Sequence, residues 1–239
     1  MNNTYARHAA ICAKFYELAV DRHAVEDFIF QRSGVKPGHR ALFVGGMFEI
    51  ASCLFRHGVD LTVVDYSAEM VSVGRKHLPD VKVEVADLRS LPFENEFDFV
   101  FVVGRVFTHM ISDEDLRLAV RSCHKALRRS GKLFFDNYED SKIGLTNYFN
   151  GELCVRDETA EIRRRSTTTR LSDSPLVVLW EATYTGILDG KPIEFCDAIE
   201  HRAWSRGEIQ PFLKQAGFEL LAQGDNFDET SFFTLAKAL

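Results

Sequence analysis

The stretch Ala41–Met70, "ALFVGGMFEIASCLFRHGVDLTVVDYSAEM", constrains the fold more than any other part of the chain. "RALFV" is a short apolar run without alternation, so it must be covered on both faces, as a central parallel strand is. Two glycines follow. "MFEIASCLFRHG" then has the apolar spacing of a helix, with Gly58 placed to close it. "VDLTVVD" is a second strand and ends on an acid, Asp65. Parallel strands cannot be joined by a hairpin, and the helix between them supplies the crossover.

The same alternation continues beyond this unit. "SAEMVSVGRKHL" reads as a helix with Ser67 as its N-cap and Glu69 in the first turn. "VKVEVAD" alternates like a strand, and "FDFVFVV" is again a continuous buried run. "SDEDLRLAVRSCHKALRRSGK" is a helix capped by Ser112 and closed by Arg128, Arg129 and Gly131, in keeping with the helix dipole. "KLFFDNYE" is a further strand. Residues 5–34 have helical spacing at Ile11, Phe15, Leu18, Val25, Phe28 and Ile29. Strands and helices in turn predict a doubly wound parallel α/β sheet.

The pattern changes near residue 145. "ELCVRD", "AEIRRRSTTTRL", "LVVLWEATYTGIL" and "IEFCDAIEHRAW" are all strand-like, and Asp189-Gly190 marks a hairpin between the last two. "SRGEIQPFLKQAGF" follows as a helix capped by Ser205, and two strands, "ELLAQGDNF" and "SFFTLAKAL", close the chain. The expected organisation is a core of residues 1–144 and 205–239, interrupted at 145–204 by an antiparallel β lid.

Composition narrows the function. Apolar residues make up 46%, with 20 Phe, enough for a large core. A net charge of −6 argues against a dedicated nucleic-acid partner. The five cysteines form no CxxC pair, which predicts neither a disulfide framework nor a zinc site, and a reduced cytoplasmic setting fits them. No apolar run approaches the ~18 residues of a membrane span, so no membrane partner is expected. Metal ligation is not expected.

In open α/β sheets ligands bind beyond the carboxyl ends of the strands. The residues there are Gly45 and Gly46, then Asp65 and Tyr66, then Asp87 and Leu88, then Gly104, Arg105 and, slightly later, His109. Asp65 lies about twenty residues past the glycine turn, the offset at which a carboxylate meets a ribose diol. Two acceptor oxygens match two donor hydroxyls, and glycine lets the ligand approach the backbone. His109 reads either as a base or as a hydrogen-bonding helix entrance. Tyr138 either lines an acceptor pocket or packs, and His201, in "IEHRAW", is at the lid's return to the core. Arg163–Arg165 lie on a strand, so Arg164 faces away from the other two. A solvated or subunit-facing surface suits them, which allows a homodimer, and an anionic substrate is the alternative.

Across nearly its whole length the chain resembles the class I S-adenosylmethionine-dependent methyltransferases. The segments that carry the resemblance are "ALFVGGMFEIASCLFRHG", "TVVDYSAEMV", "ADLRSLPFENEFDFVFV", "ALRRSGKLFFD", and "QAGFELL" with "SFFTLAKAL". It implies a Rossmann-like, mostly parallel seven-stranded sheet with an antiparallel C-terminal hairpin, and a lid like that of small-molecule N- and O-methyltransferases. The implied cofactor is S-adenosyl-L-methionine, with S-adenosyl-L-homocysteine as product, and the implied partner is a small-molecule acceptor. By the same resemblance Asp65 holds the ribose, Tyr66 and Met70 flank the adenine, and Asp87 and Leu88 lie at its edge. Tyr16, in "FYEL", caps the cofactor. Arg105, Tyr138 and His201 are candidates to face the acceptor from their positions alone, and the resemblance makes His109 the candidate base.

The chain departs from that pattern in its first turn. Phe43 stands where an acid is usual, and Met47 and Glu49 replace the second and third glycines. Glu49 suits a helix N-terminus but would repel the cofactor's carboxylate, unless it turns outward, pairs with a cation such as Arg105, or meets the cofactor's ammonium group. A working methyltransferase, a non-catalytic relative on the same fold, and a nicotinamide-dependent oxidoreductase therefore remain as readings. The missing G-x-G-x-x-G turn and the closing hairpin weigh against the last.

Overall fold

The computed structural model describes residues 4–145, 149–228 and 230–239. Two helices, α1 (Thr4–Ala19) and α2 (Arg22–Ser33), precede the alternating core. This core runs β1 (Arg40–Val44), α3 (Phe48–Arg56), β2 (Asp60–Asp65), α4 (Ala68–His77), β3 (Lys82–Val85), β4 (Phe97–Val102), α5 (Asp113–Ala126) and β5 (Leu127–Tyr138). Four strands follow: β6 (Gly151–Arg156), β7 (Ala160–Asp173), β8 (Leu176–Leu188) and β9 (Lys191–Arg202). The chain ends with α6 (Arg206–Gln215), β10 (Phe218–Asp225) and β11 (Ser231–Ala238).

The main sheet has seven strands in the order β10-β11-β5-β4-β1-β2-β3. β1 pairs in parallel with both β2 and β4, so the strand order reverses beside it, and there a crevice opens. β11 runs antiparallel between β5 and β10. Alternate side chains of the central strands fill two cores. Phe43, Phe101 and Phe134 pack under α1–α4, while Leu42, Val100 and Phe135 pack under α5 and α6. Both faces are dry, which is why these strands read as unbroken apolar runs.

The second sheet has four antiparallel strands in the order β6-β7-β8-β9. The turn from β8 to β9 is Asp189-Gly190, with φ of 50° and 73°, the left-handed pair a two-residue hairpin requires. One face of this sheet alternates into a third core with α1, where Phe15 meets Tyr184 edge-on at 5.4 Å. Residues 146–148, in the segment leading to β6, lie outside the described residues.

Helix boundaries follow the capping chemistry. Ser67 and Ser112 accept the backbone N–H of Met70 and Asp115, and Ser205 forms a reciprocal capping box with Glu208. One boundary differs from the sequence reading. Arg128 and Arg129 belong to β5 and not to the last turn of α5, which stops at Ala126. Leu127 already pairs with Phe97, so the sheet claims residues that the charge pattern assigned to the helix.

The lid returns to the core through Trp204, which is fully buried. Its Nε1 donates to the Met110 carbonyl at 3.0 Å, and the Arg202 guanidinium lies 3.3 Å above its ring centre. Arg202 in turn donates to Asp113 and to the Ile111 carbonyl. Replacing Trp204 with Phe leaves a buried carbonyl unsatisfied and should cost about 1–2 kcal/mol. Trp204→Ala adds a cavity and should cost about 3–5 kcal/mol. Urea unfolding followed by circular dichroism reads both.

Candidate functional site

A cavity of about 550 Å³ opens over the carboxyl ends of β1, β2 and β4, between the main sheet, α1 and the lid. Its lining contains every candidate cofactor-binding, acceptor-facing and base residue named from the sequence except Glu49, while the arginines 163–165 lie outside it. The structure therefore brings Tyr16, Gly45, Gly46, Asp65, Tyr66, Met70, Asp87, Leu88, Gly104, Arg105, His109, Tyr138 and His201 together around one space.

The floor is bare backbone. A Cβ on Gly46 would run into Met70 Cε and come within 3.6 Å of Asp65 Oδ2. Gly104 has φ of 97°, a left-handed conformation, and a Cβ there would lie 2.9 Å from Met47 Cγ. Met47, standing where a glycine was expected, thus lays its side chain over Gly104. Only that glycine leaves room for it. The compensation involves two residues 57 positions apart (104 − 47), so the turn alone could not reveal it.

The acids differ in environment. Asp65 Oδ1 accepts the Ser67 N–H at 2.8 Å, and among the described residues no hydrogen bond occupies Oδ2. Burial raises its carboxyl to about 6, with the Ser67 N–H acting in the opposite sense. Asp87 instead accepts from the backbone and side chain of Arg89, which holds it below the usual carboxylate range. Arg89 also reaches Asp115 at 2.7 Å and lines the cavity, a role that sequence reasoning did not assign to it. Tyr66 is 59% exposed at the mouth.

Glu49 lies on the other side of the turn and pairs with Arg22 at 3.4 Å. Of the options left open from the sequence, it takes the outward one, with α2 and not Arg105 supplying the cation. Glu49, Glu17 and His77 bring ligand-type atoms within 4.8 Å of one another. The charges are already met, since Lys14 is 3.0 Å from Glu17.

Arg105 is held by the C-terminal hairpin. It contacts Asp228 at 2.8 Å, Ser231 at 2.8 Å and Thr230 at 3.1 Å, with its guanidinium 5.3 Å from the Tyr138 ring centre. It borders the cavity, but its charge is engaged within the protein. Beside it the core and lid meet in a cluster of rings. His109 lies edge-on to His201 at 4.9 Å, Tyr138 is 5.6 Å from His201, and Trp180 is 6.3 Å from it. Burial lowers His109 to about 4 and His201 well below the ordinary imidazole value, with His109 adding to the shift of His201. Both rings are neutral at neutral pH. Arg164, the middle residue of the arginine run, is buried between the rings of Phe15 and Trp180, at 4.9 and 5.2 Å from their centres. Arg163 and Arg165 are exposed and pair with Glu152.

Residues 46–131 match the family model described as "Methyltransferase domain". No curated protein sequence matches the chain. Solved structures do. An S-adenosylmethionine-dependent methyltransferase from Clostridium acetobutylicum superimposes with a TM-score of 0.77 at 18% identity, covering 99% of each chain. Streptomyces venezuelae DesVI gives 0.75 at 17% identity over 98% of each chain. The amino pentose methyltransferase CalS10 of Micromonospora echinaspora, solved with S-adenosylmethionine bound, gives 0.75 at 19% identity, over 98% of this chain and 96% of that one. Residues 46–131 thus match a methyltransferase domain, and the chain as a whole shares the fold of these S-adenosylmethionine-dependent methyltransferases.

The contrast between the two acids is directly measurable. In a carboxyl-carbon NMR titration, Asp65 should show a midpoint near pH 6 and Asp87 one below the ordinary carboxylate value. In Arg89→Ala the Asp87 midpoint should return towards the ordinary value while that of Asp65 stays. Coincident midpoints for the two acids in the unaltered protein would contradict this picture.

Proposed function

We propose that the protein transfers a methyl group from S-adenosylmethionine to a nitrogen or oxygen of a small-molecule acceptor. The observation that carries this reading is the cavity floor: glycine backbone on one side, and on the other a buried carboxylate with one oxygen free of protein hydrogen bonds. A cis-diol fits that arrangement, because its two hydroxyls need two acceptor atoms. The fold likeness to CalS10 supports a small natural-product-like acceptor.

When bound, the cofactor supplies an activated methyl on a sulfonium centre. In this reading the protein's own groups do the rest. Asp65 binds the ribose hydroxyls, Met70 and Leu88 pack on the base, and Asp87 lies at its edge. The backbone at Gly45, Gly46 and Gly104 lets the methionine portion approach. Tyr16, from α1, closes over it. The rings of Tyr138 and Trp180 keep water from the acceptor, and alignment of acceptor with methyl accounts for most of the rate. His109, neutral and enclosed, is suited to accept the acceptor's proton.

The outward pairing of Glu49 with Arg22 favours a working site over a degenerate one, since it keeps the misplaced charge out of the cavity. Calorimetry with S-adenosylhomocysteine and with nicotinamide nucleotides tests the proposal: the first should bind and the second should not. Asp65→Ala should weaken binding of S-adenosylhomocysteine by about 1.5–3 kcal/mol. Glu49→Gly should leave its affinity within about threefold, because the charge it removes is already paired.

Asp65 also sets a pH dependence. The diol donates to the ionised carboxylate, so binding competes with protonation. Affinity should be flat above about pH 7 and fall as pH drops through about 6, by up to about tenfold per unit. The fall should disappear in Asp65→Asn, whose side chain does not titrate.

A further inference from the structure

The lid's last strand, β9, is an edge strand: among the described residues β8 lies on one side of it and no strand on the other. Its register decides which main-chain groups look outwards. Leu188 and Lys191 flank a two-residue turn and so exchange both of their hydrogen bonds. From there the pairing with β8 runs without a bulge, and hydrogen-bonded pairs recur at every second residue. Trp180 with Ile199 and Val178 with His201 are such pairs. The Ala203 N–H, which donates to the Leu176 carbonyl at 3.0 Å, continues the same alternation. The N–H and C=O of Ala198 and Glu200 therefore point away from β8. Among the described residues no hydrogen bond engages them on that side.

The cavity lies against this edge. Four consecutive residues, Ala198 to His201, border it. Successive side chains of a strand point to opposite faces, so a space bordered by all four meets the strand along its edge and not on one face. Ala198 and Glu200 are exposed, which leaves the edge open to a ligand. Across from it stands the short helical turn Val106–His109, with the His109 ring 4.9 Å from that of His201. The same cavity, about 550 Å³ in all, must also hold the cofactor. What remains suits a small molecule and not a strand of another protein.

We propose that the edge of β9 at Glu200 holds the acceptor, and that the acceptor is a small amide-bearing molecule of the N-acyl amino acid or dipeptide class, laid beside the strand as one further short strand. The proposal rests on the functional reading above and deepens it by naming the acceptor class. An outward-facing strand residue presents one donor and one acceptor at a fixed spacing. A ligand residue flanked by two amides returns the complementary pair: its N–H donates to the Glu200 carbonyl, and its C=O accepts the Glu200 N–H. Glu200 adjoins His201, so a residue held there lies beside the ring of His109, the base of that reading.

The test uses the protein loaded with S-adenosylhomocysteine, so that the nucleoside end is filled, and two probes of one shape. N-acetyl-L-alanine methylamide carries the required N–H, and in O-acetyl-L-lactic acid methylamide an ester oxygen replaces it. Hydrogen exchange followed by NMR reads the strand itself. Before a probe is added, the amide protons of Ile199 and His201 should exchange slowly and that of Glu200 fast. The alanine probe should slow exchange at Glu200, and it should bind about fivefold more tightly than the ester, the scale of one neutral hydrogen bond. Glu200→Pro removes only an outward N–H, which an edge strand tolerates, and should weaken binding of both probes by about fivefold. Glu200→Gln keeps the main chain and should bind both as the unaltered protein does. Equal affinity for the two probes, an unchanged exchange rate at Glu200, or equal binding by the Pro and Gln variants would each overturn the proposal. Protection of Glu200 that grows with protein concentration before any probe is present would assign the edge to a second copy of the chain, and overturns it too. Failure of S-adenosylhomocysteine to bind the unaltered protein is a separate result, seen first, and overturns the functional reading and the proposal with it.

Discussion

The site depends on a knot of polar groups at the end of β5. Asp136, buried at 2% exposure, accepts the backbone N–H groups of Gly104 and Arg105, each at 2.8 Å. Arg105 adopts a left-handed φ of 63°, unusual for a side chain with a Cβ, and the two hydrogen bonds hold it there. Its guanidinium then ties the turn to Asp228, Thr230 and Ser231 in the C-terminal hairpin. Gly104 belongs to the cavity floor, and the turn that follows it leads directly to His109. One carboxylate thereby sets the height of the floor and the direction of the chain towards His109. Burial raises Asp136 to about 6, opposed by the neighbouring guanidinium and the two N–H groups.

The core was readable because its rules are local. Continuous apolar runs, capping serines and glycine turns each have one structural meaning, and the strand order follows from parallel crossovers. The acids after β2 and β3 were readable for a related reason: a strand end fixes where a side chain emerges. What escaped were pairings across long separations. The partners of Arg105, which are Asp228, Thr230 and Ser231, lie more than a hundred residues later, so its strand-end position could not reveal them. The Met47–Gly104 fit, the Glu49–Arg22 pair and the burial of Arg164 under the rings of Phe15 and Trp180 are of the same kind. Alternation did place Arg164 opposite its neighbours, but did not say which face was covered. The end of α5 was misplaced because its charges suited a helix terminus while its neighbours in space were strands.

The turn that departs most from the pattern of the similar methyltransferases is accommodated by two separate adjustments. Met47 stays over Gly104, where it remains part of the cavity wall, and Glu49 is drawn out by α2. The first conserves packing and the second removes a charge from a place where it would oppose an anion. Neither restores the usual sequence. Both preserve what that sequence provides, which is open backbone beside the buried carboxylate of Asp65.

Tyr138 is the last residue of β5 and His201 the last but one of β9, and their rings lie 5.6 Å apart. The two sheets share no ladder of hydrogen bonds, and this ring contact is one of the places where they are joined. The glycine floor at Gly46 and Gly104 follows strands of the seven-stranded sheet alone, whereas the ring cluster takes Tyr138 from that sheet and Trp180 and His201 from the other. Such an architecture lets the floor keep its shape while the seam between the sheets is remodelled from one side only.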